Sequence, residues 1–317
     1  MPKLRTEQDG RVLTVTIDNP PHNFLTTDIM DEWHDVLVSV QDDRTVGAIV
    51  LTSALDGIFI SHFDVSELVG STDGLAGIAF PQALASGTLR VQSALEAVPG
   101  ARAALGKTPI SGVSGLLRFH ETCALMQRMD KVLIAAINGR SLGGGSELAL
   151  ACDIRIMADG PFQIGQPEIL IGIIPGGGGT QRLPRAVGAA RALELMLDGT
   201  ALSPADALHM GYVNHVVPVA EFDGFVTETA HRLSRRSAAA VAAVKRSVNG
   251  DPALAKGLHA ERSAFLSTLS TKSAREAMRA YLDHLDRLEA DGREFSVETL
   301  EPWIEGTAFD FSDEPKT

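Results

Sequence analysis

The sequence predicts an α/β fold in which short strands alternate with helices, and three observations carry that expectation. Arg11–Asp18 (RVLTVTID) alternates Val12, Thr14 and Thr16 against Leu13, Val15 and Ile17, the period of two that marks a strand. Val46–Leu51, Val132–Ile137 and Ile154–Ala158 are short apolar runs rich in β-branched residues, as strands buried on both faces read. Stretches with apolar residues at helical spacing separate and follow these runs, which favours layered strands and helices over a sandwich or barrel.

The first strand ends at Asn19-Pro20-Pro21, because proline has no N–H to give a ladder. Thr27 or Asp28 caps a helix running to about Gln41, with Ile29, Trp33, Val36, Leu37 and Val40 as its buried stripe. Between the second and third strands lies Gly70 to Gly115, rich in glycine, alanine and serine, with one helix-like piece at Leu89–Val98. A stretch this long reads either as a surface insertion or as a lid over a pocket. After Gly188 the pattern turns mostly helical, at Ala189–Leu197, Pro204–Met210, Glu221–Leu233, Ala238–Val248 and Ser273–Glu289. In the last of these, Ala274, Ala277, Met278, Tyr281, Leu282, Leu285 and Leu288 form a stripe expected at a core or subunit interface. From Phe295 the tail mixes Trp303, Phe309 and Phe311 with Glu298, Glu301, Glu305, Asp310, Asp313 and Glu314, and is expected to drape over a surface and fray. The expected division is a core over 1–200 with an insertion at about 70–115, a helical region over 201–290, and an acidic aromatic tail over 291–317.

Composition narrows the function classes. Of 317 residues, 44% are hydrophobic and 21% charged, so a sizeable core can form and global disorder is excluded. The net charge of −12 repels phosphate backbones and anionic membrane surfaces, which argues against nucleic acid or membrane partners. Two cysteines, Cys123 and Cys152, make no disulfide framework and suit a reducing compartment. No apolar run reaches the roughly 18–20 residues of a membrane helix. Met1–Gly10 carries acids and runs into the first strand without the features of a signal peptide, so a cytoplasmic location is expected.

The most informative segment for chemistry is Asn138–Leu150, NGRSLGGGSELAL. A buried strand ends at Ile137, glycines follow at 143–145, and a helix begins. The first N–H groups of such a helix are unpaired and carry partial positive charge, which suits a developing oxyanion. Glu147 shares the face of Gly144, so one turn offers an N–H beside a carboxylate; tight strand–helix packing would use the same residues. Gly165-Gln166-Pro167-Glu168 is the second candidate, with Gln166 able to orient a carboxylate or water. Two carboxylates facing one cavity would suit acid–base chemistry, although the sequence alone does not bring them together. Other chemistries lack their patterns: Gly176–Gly179 is followed by Thr180-Gln181-Arg182 where a phosphate loop wants lysine, the histidines form no H-E-x-x-H, and no G-x-S-x-G elbow occurs. No metal ligand set is predicted.

Lys131 to Pro218 resembles the enoyl-CoA hydratase/isomerase (crotonase) superfamily. The resembling runs are VLIAAINGRSLGGGSELALACDIRIMA, FQIGQPEILIGIIPGGGGTQRLPRAVG and LDGTALSPADALHMGYVNHVVP, joined upstream by NPPHNFLT and FISHFDVSEL. The match covers roughly Arg11 to Lys272, less the insertion. It implies a crotonase-like spiral of ββα units and a C-terminal helical trimerisation region, assembled as a homotrimer or a dimer of trimers. It also implies an acyl-CoA thioester as partner, with coenzyme A carried on the substrate and no other cofactor. By position, Phe63 and Gly144 would supply the two backbone N–H groups that polarise the thioester carbonyl. Glu147 and Glu168 would be the catalytic acids, while Ser61, His62, Asp64, Gln166 and Gly172 would contact substrate.

Retention of both glutamates, with GQPEILIG and PGGGGTQRL, favours hydration of a trans-2-enoyl-CoA to a 3-hydroxyacyl-CoA. Another crotonase-type reaction, such as isomerisation or hydration of an unusual acyl chain, is the alternative within the family; a catalytically silent acyl-CoA binder is the alternative outside catalysis. The chain departs from the family pattern in several places. His62 stands where glycine is usual, and would be strained if that position required a positive φ. Lys131 is followed by Val132 rather than proline, and no basic segment follows Tyr281.

Overall fold

A computed structural model describes residues 3–73, 81–96 and 111–311. The chain opens with an antiparallel pair, β1 (Leu4–Asp9) and β2 (Val12–Ile17). β1 went unread in the sequence because only Leu4 is buried and the rest of LRTEQD faces outward, leaving no apolar period. α1 (Thr27–Val40) follows, and its cap is Thr26, one residue before the expected pair: Thr26 Oγ1 accepts from Ile29 N at 3.2 Å. Thr27 instead gives its N–H and hydroxyl to Glu67 at 3.0 and 2.6 Å.

The chain then alternates between two sheets. β3 (Ala48–Ser53) joins the large sheet and β4 (Gly57–Ile60) the small one, followed by α2 (Val65–Asp73), α3 (Gln82–Glu96) and α4 (Ser111–Arg128). β5 (Val132–Ile137) and β6 (Gly139–Leu142) repeat the step and lead into α5 (Gly144–Ala151). β7 (Ile154–Asp159) and β8 (Ile164–Gly165) repeat it again, before a 3-10 turn at Glu168–Ile171, α6 (Gly179–Val187) and α7 (Ala189–Asp198). β9 (Ala201–Leu202), α8 (Pro204–Met210) and β10 (His215–Pro218) complete the sheets, whose orders are β1-β2-β3-β5-β7-β10 and β4-β6-β8-β9. Pairs from β2 to β10 in the large sheet are parallel, as crossover connections require. The repeated passage of two strands and a helix is the expected ββα spiral. β9 and β10 show that both sheets extend past residue 200, into the stretch read mainly as helices.

The inner strands β3 and β5 of the large sheet are buried on both faces, which is why they read as continuous apolar runs. One face packs Ile49, Leu51 and Leu133 against Trp33 and Leu37 of α1 and Met126 of α4. The other packs Val50, Ile134 and Ile156 against Phe222, Val226 and Ala230 of α9 (Val219–Ser234). α10 (Ala238–Asn249), α11 (Pro252–Leu269) and α12 (Lys272–Ala290) follow, α10 packing on α4, α11 on α3 and α6, and α12 on α2. A third apolar cluster joins Phe265, Met278 and Tyr281 to Leu89, Leu116 and Ile173.

Two parts of the chain differ from expectation. The helix in the insertion runs from Gln82 to Glu96, earlier than Leu89–Val98, and packs on α11 and α4, with Ala85 and Leu89 buried; positions 74–80 and 97–110 lie outside the described residues. The tail does more than drape: a 3-10 turn at Val297–Leu300 and α13 (Glu301–Ile304) bury Leu300 and Trp303 in the third cluster, and Phe311 reaches Gly172. Asp313 and Glu314 lie outside the described residues. Among the described residues no helix is long and apolar enough to cross a membrane.

Candidate active site

The site is built where β6 hands over to α5. Gly143, at φ +47°, turns the chain through a conformation that a side chain would strain, and its N–H is held by the Gly165 carbonyl at 2.9 Å. α5 is buried along its whole length, so Glu147 points into protein. Its Oε1 accepts two backbone N–H bonds, from Gly177 and Gly179, each at 2.7 Å. A Cβ on Gly177 would stand 2.7 Å from Glu147 Oε2 and 2.5 Å from Phe119, and one on Gly179 would stand 2.9 Å from Oε1. The glycine run is therefore a carboxylate cradle; two of the amides that made it look like a phosphate loop are taken by Glu147.

Glu168 opens the 3-10 turn just after Pro167, and its Oε1 lies 3.0 Å from where a Cβ on Gly143 would be. With its amide turned to suit its neighbours, Gln166 donates to both Glu168 oxygens at 3.1 and 3.2 Å and accepts from Ser146 Oγ at 3.3 Å. Ser146 is in turn 2.6 Å from the hydroxyl of fully buried Tyr212. Glu147 and Glu168, 3% and 9% exposed, both line one cavity of about 600 Å³. Burial pushes the Glu147 carboxyl above the usual carboxylate range, against the pull of the two loop N–H groups and Arg182. Burial pushes Glu168 up further, and the negative charge of Glu147 adds to the effect. Of the two, Glu147 has the N–H donors that favour an anion, and its charge favours the protonated form of Glu168.

Phe63 and Gly144 meet beside them. Leu25 forms a parallel bridge with Phe63, in which Leu25 N donates to His62 O and Asp64 N donates to Leu25 O, both at 2.8 Å. Alternation along the strand turns the Phe63 N–H to the opposite side. There Phe63 N lies 3.5 Å from where a Cβ on Gly144 would stand. Among the described residues neither the Phe63 nor the Gly144 N–H finds an acceptor, and both residues line the cavity. Two free amides side by side are what a developing oxyanion requires.

His62 carries none of the strain that glycine would have relieved: among the described non-glycine residues only Asn23 has a positive φ. Burial holds its imidazole down at about 4, hence neutral. Nδ1–H donates to the Phe63 carbonyl and Nε2 accepts from the Tyr281 hydroxyl, each at 2.7 Å. A single ring therefore ties the Phe63 segment to α12.

The other substrate-contact candidates stand apart from the cavity wall. Ser61 Oγ accepts from Arg140 at 3.0 Å, and Asp64 caps α2 by accepting from Ser66 N and Oγ. Gly172 ends the 3-10 turn against Phe311 and Ala274, and Gln166 acts from behind Glu168. Most of the wall is apolar, including Leu68, Leu116, Ile173, Phe265 and Trp303, while Thr27, Asp31, Glu67 and Arg118 make one side polar. Sequence reading missed Glu261, His120 and Arg182, which brace the glycine loop from behind. No motif surrounds them; only α11 folding back brings Glu261 near Glu147.

The chain is similar to known proteins over most of its length. The family model for enoyl-CoA hydratase/isomerase matches residues 7–92 and 115–289. A Dictyostelium discoideum protein named as a probable mitochondrial enoyl-CoA hydratase is 34% identical over 266 residues, covering 83% of this chain and 82% of its own. A short-chain-enoyl-CoA hydratase of Clostridium acetobutylicum is 32% identical over 244 residues, covering 77% and 79%. A Streptomyces avermitilis crystal structure, provisionally named an enoyl-CoA hydratase, superposes with a TM-score of 0.74 at 28% identity, over 97% of this chain and 98% of that one. The described strands and helices thus form the crotonase fold, and the chain belongs to the enoyl-CoA hydratase/isomerase family.

Proposed function

We propose that this chain adds water across the double bond of a trans-2-enoyl-CoA to give a 3-hydroxyacyl-CoA. The observation that carries the reading is the pair of unequal buried carboxyls beside two unpaired amides on one cavity. The Phe63 and Gly144 N–H groups would hold the thioester oxygen as enolate charge develops, and one such donor is worth roughly 3 kcal/mol in a comparable oxyanion hole. Glu147, fixed by its loop, takes a proton from water as the oxygen attacks the β-carbon. Glu168 delivers its proton to the α-carbon. A proton then passes from Glu147 back to Glu168 and resets a pair that titrates together. The thioester itself acidifies the α-carbon, so the reading calls for no metal or redox cofactor. The names of the curated relatives support hydration over isomerisation. Family resemblance likewise supports a homotrimer or dimer of trimers, which sedimentation would measure.

Glu147→Gln and Glu168→Gln test the assignment on a series of trans-2-enoyl-CoA substrates. Each is expected to lower kcat by about 10²–10⁴-fold while leaving KM within a few-fold, because each removes a proton-transfer group rather than a binding surface. Wild-type turnover in either variant sinks the roles. Conversion of a 3-enoyl-CoA to its 2-enoyl isomer, with no hydration, replaces the reaction.

A further inference from the structure

Glu147 and Glu168 have a third acid as neighbour. Glu261, on α11, has its side chain fully buried, and its Oε2 accepts the Thr180 N–H at 2.8 Å and also the Thr180 hydroxyl. Among the described residues its Oε1 has no hydrogen-bond partner, and it lies 4.0 Å from His120 Nε2. That nitrogen donates instead to the Gly176 carbonyl at 2.7 Å. Burial, then Arg262 and Arg182, hold His120 well below the usual imidazole range, so it brings Glu261 no countercharge.

The segment from Gly176 to Thr180 is thus gripped at both ends and in the middle. His120 takes Gly176, Glu147 takes Gly177 and Gly179, and Glu261 takes Thr180. Loosening any grip moves the amides that aim Glu147. Glu261 also shares the field of the pair. After burial, the charge of Glu147 is the main cause that raises Glu261, and Glu261 in turn helps to raise Glu168. The other groups facing this acid are Cys123 on α4, Arg182 on α6 and Arg262 beside it, with Glu121 acting on Arg262 and Arg90 of α3 on the neighbouring His259.

We propose that Glu261 is a positioning residue for the hydration assigned above: it anchors the loop that aims Glu147, and the shared loop makes its buried carboxyl a third member of the acidic cluster around Glu147. The idea rests on that reading of the reaction, and it commits to two separable effects. Glu261→Gln keeps an oxygen for Thr180 and removes the charge; Thr180→Val keeps the charge and removes the hydroxyl contact.

Above a pH of about 8, where Glu261 itself ionises, the loss of that like charge in Glu261→Gln lets Glu168 release its proton more readily. The alkaline limb of the kcat profile is therefore expected to move to lower pH, by about half a unit or more, with KM within twofold. Carbon-13 NMR of carboxyl-labelled glutamate follows the same titration without turnover, the Glu168 signal being assigned by its loss in Glu168→Gln. In Thr180→Val, kcat falls several-fold at unchanged KM because the loop is held less firmly. An unmoved Glu168 midpoint in folded Glu261→Gln overturns the electrostatic role, and wild-type kcat in Thr180→Val overturns the anchoring role. If the unaltered protein hydrates no enoyl thioester while the NMR midpoint still shifts, the reaction is wrong and the coupling stands.

Discussion

Two backbone N–H bonds to one oxygen give Glu147 its fixed aim, and glycine is what lets the loop come so close. At Gly177 an added methyl group would press on both Glu147 Oε2 and the ring of Phe119, which is buried and cannot retreat far. Gly177→Ala is therefore expected to push the loop off Glu147 by a fraction of an ångström or more. A displacement near 1 Å at a reacting group can lower turnover by about 10²-fold, so kcat should fall by at least tenfold with KM little changed. Steady-state kinetics at several pH values would check this. A variant with an intact kcat would mean that Glu147 needs no such cradle. The sequence made the glycine run conspicuous and argued against a phosphate loop, but did not show what its amides hold, since phosphate loops and carboxylate cradles both present consecutive amides. Only the position of Glu147, 30 residues upstream in the chain, separates them. Glu261 left no trace, because a lone glutamate on an ordinary helix looks like a solvated one until the helix is placed.

At the level of elements, strands were legible where both faces are buried and helices where one apolar stripe is strong, as in Val132–Ile137 and α12. β1 and α11 were not: β1 is an outward-facing edge, and α11 buries polar Glu261 and Ser263 alongside Leu254, Phe265 and Leu269. Polar residues inside an element erase its period, and here they are inside because they hold other elements. Lys245 shows the same logic on α10. Its ammonium, 6% exposed, donates to Asp153 Oδ2 at 2.7 Å and to the Lys131 carbonyl at 2.9 Å, while Asp153 Oδ2 also accepts from Leu133 N at 2.8 Å. One ion pair thus fastens α10 to the start of β5 and the turn before β7. Lys245→Met would leave Asp153 mostly buried without its cation, which costs about 3–5 kcal/mol. Urea unfolding should show that loss, and adding Asp153→Asn should recover part of it. No loss on the single change would mean that α10 is held by apolar packing alone.

For the whole molecule, the buried acids make stability depend on pH in a direction that can be worked out. Glu147, Glu168 and Glu261 each have folded-state carboxyls raised by burial, so the folded chain binds protons that the unfolded chain has already released. Stability from these groups is fully present below the ordinary glutamate range and is lost as pH rises toward their raised values. Buried His62 and His120 act the other way: both are held below the usual imidazole range, so the unfolded chain takes up protons that the folded chain refuses as pH falls below about 6.5. From about a unit above that point the histidines are neutral in both states and the acids dominate, with buried Cys123 and Cys152, also raised by burial, adding to the same trend at the alkaline end. Unfolding free energy should then decline as pH rises from about 7.5 to 8.5. Each carboxyl still protonated in the folded state contributes up to about 1.4 kcal/mol per pH unit. Chemical unfolding across that window would measure the slope, and Glu168→Gln should flatten it by up to one proton's share, since a glutamine has no proton to lose. A slope that rises, or that the substitution leaves untouched, would mean that these carboxyls are ionised in the folded protein at neutral pH. Glu168 would then lack the proton that the reaction asks it to deliver, so a stability measurement made without substrate bears directly on the chemistry.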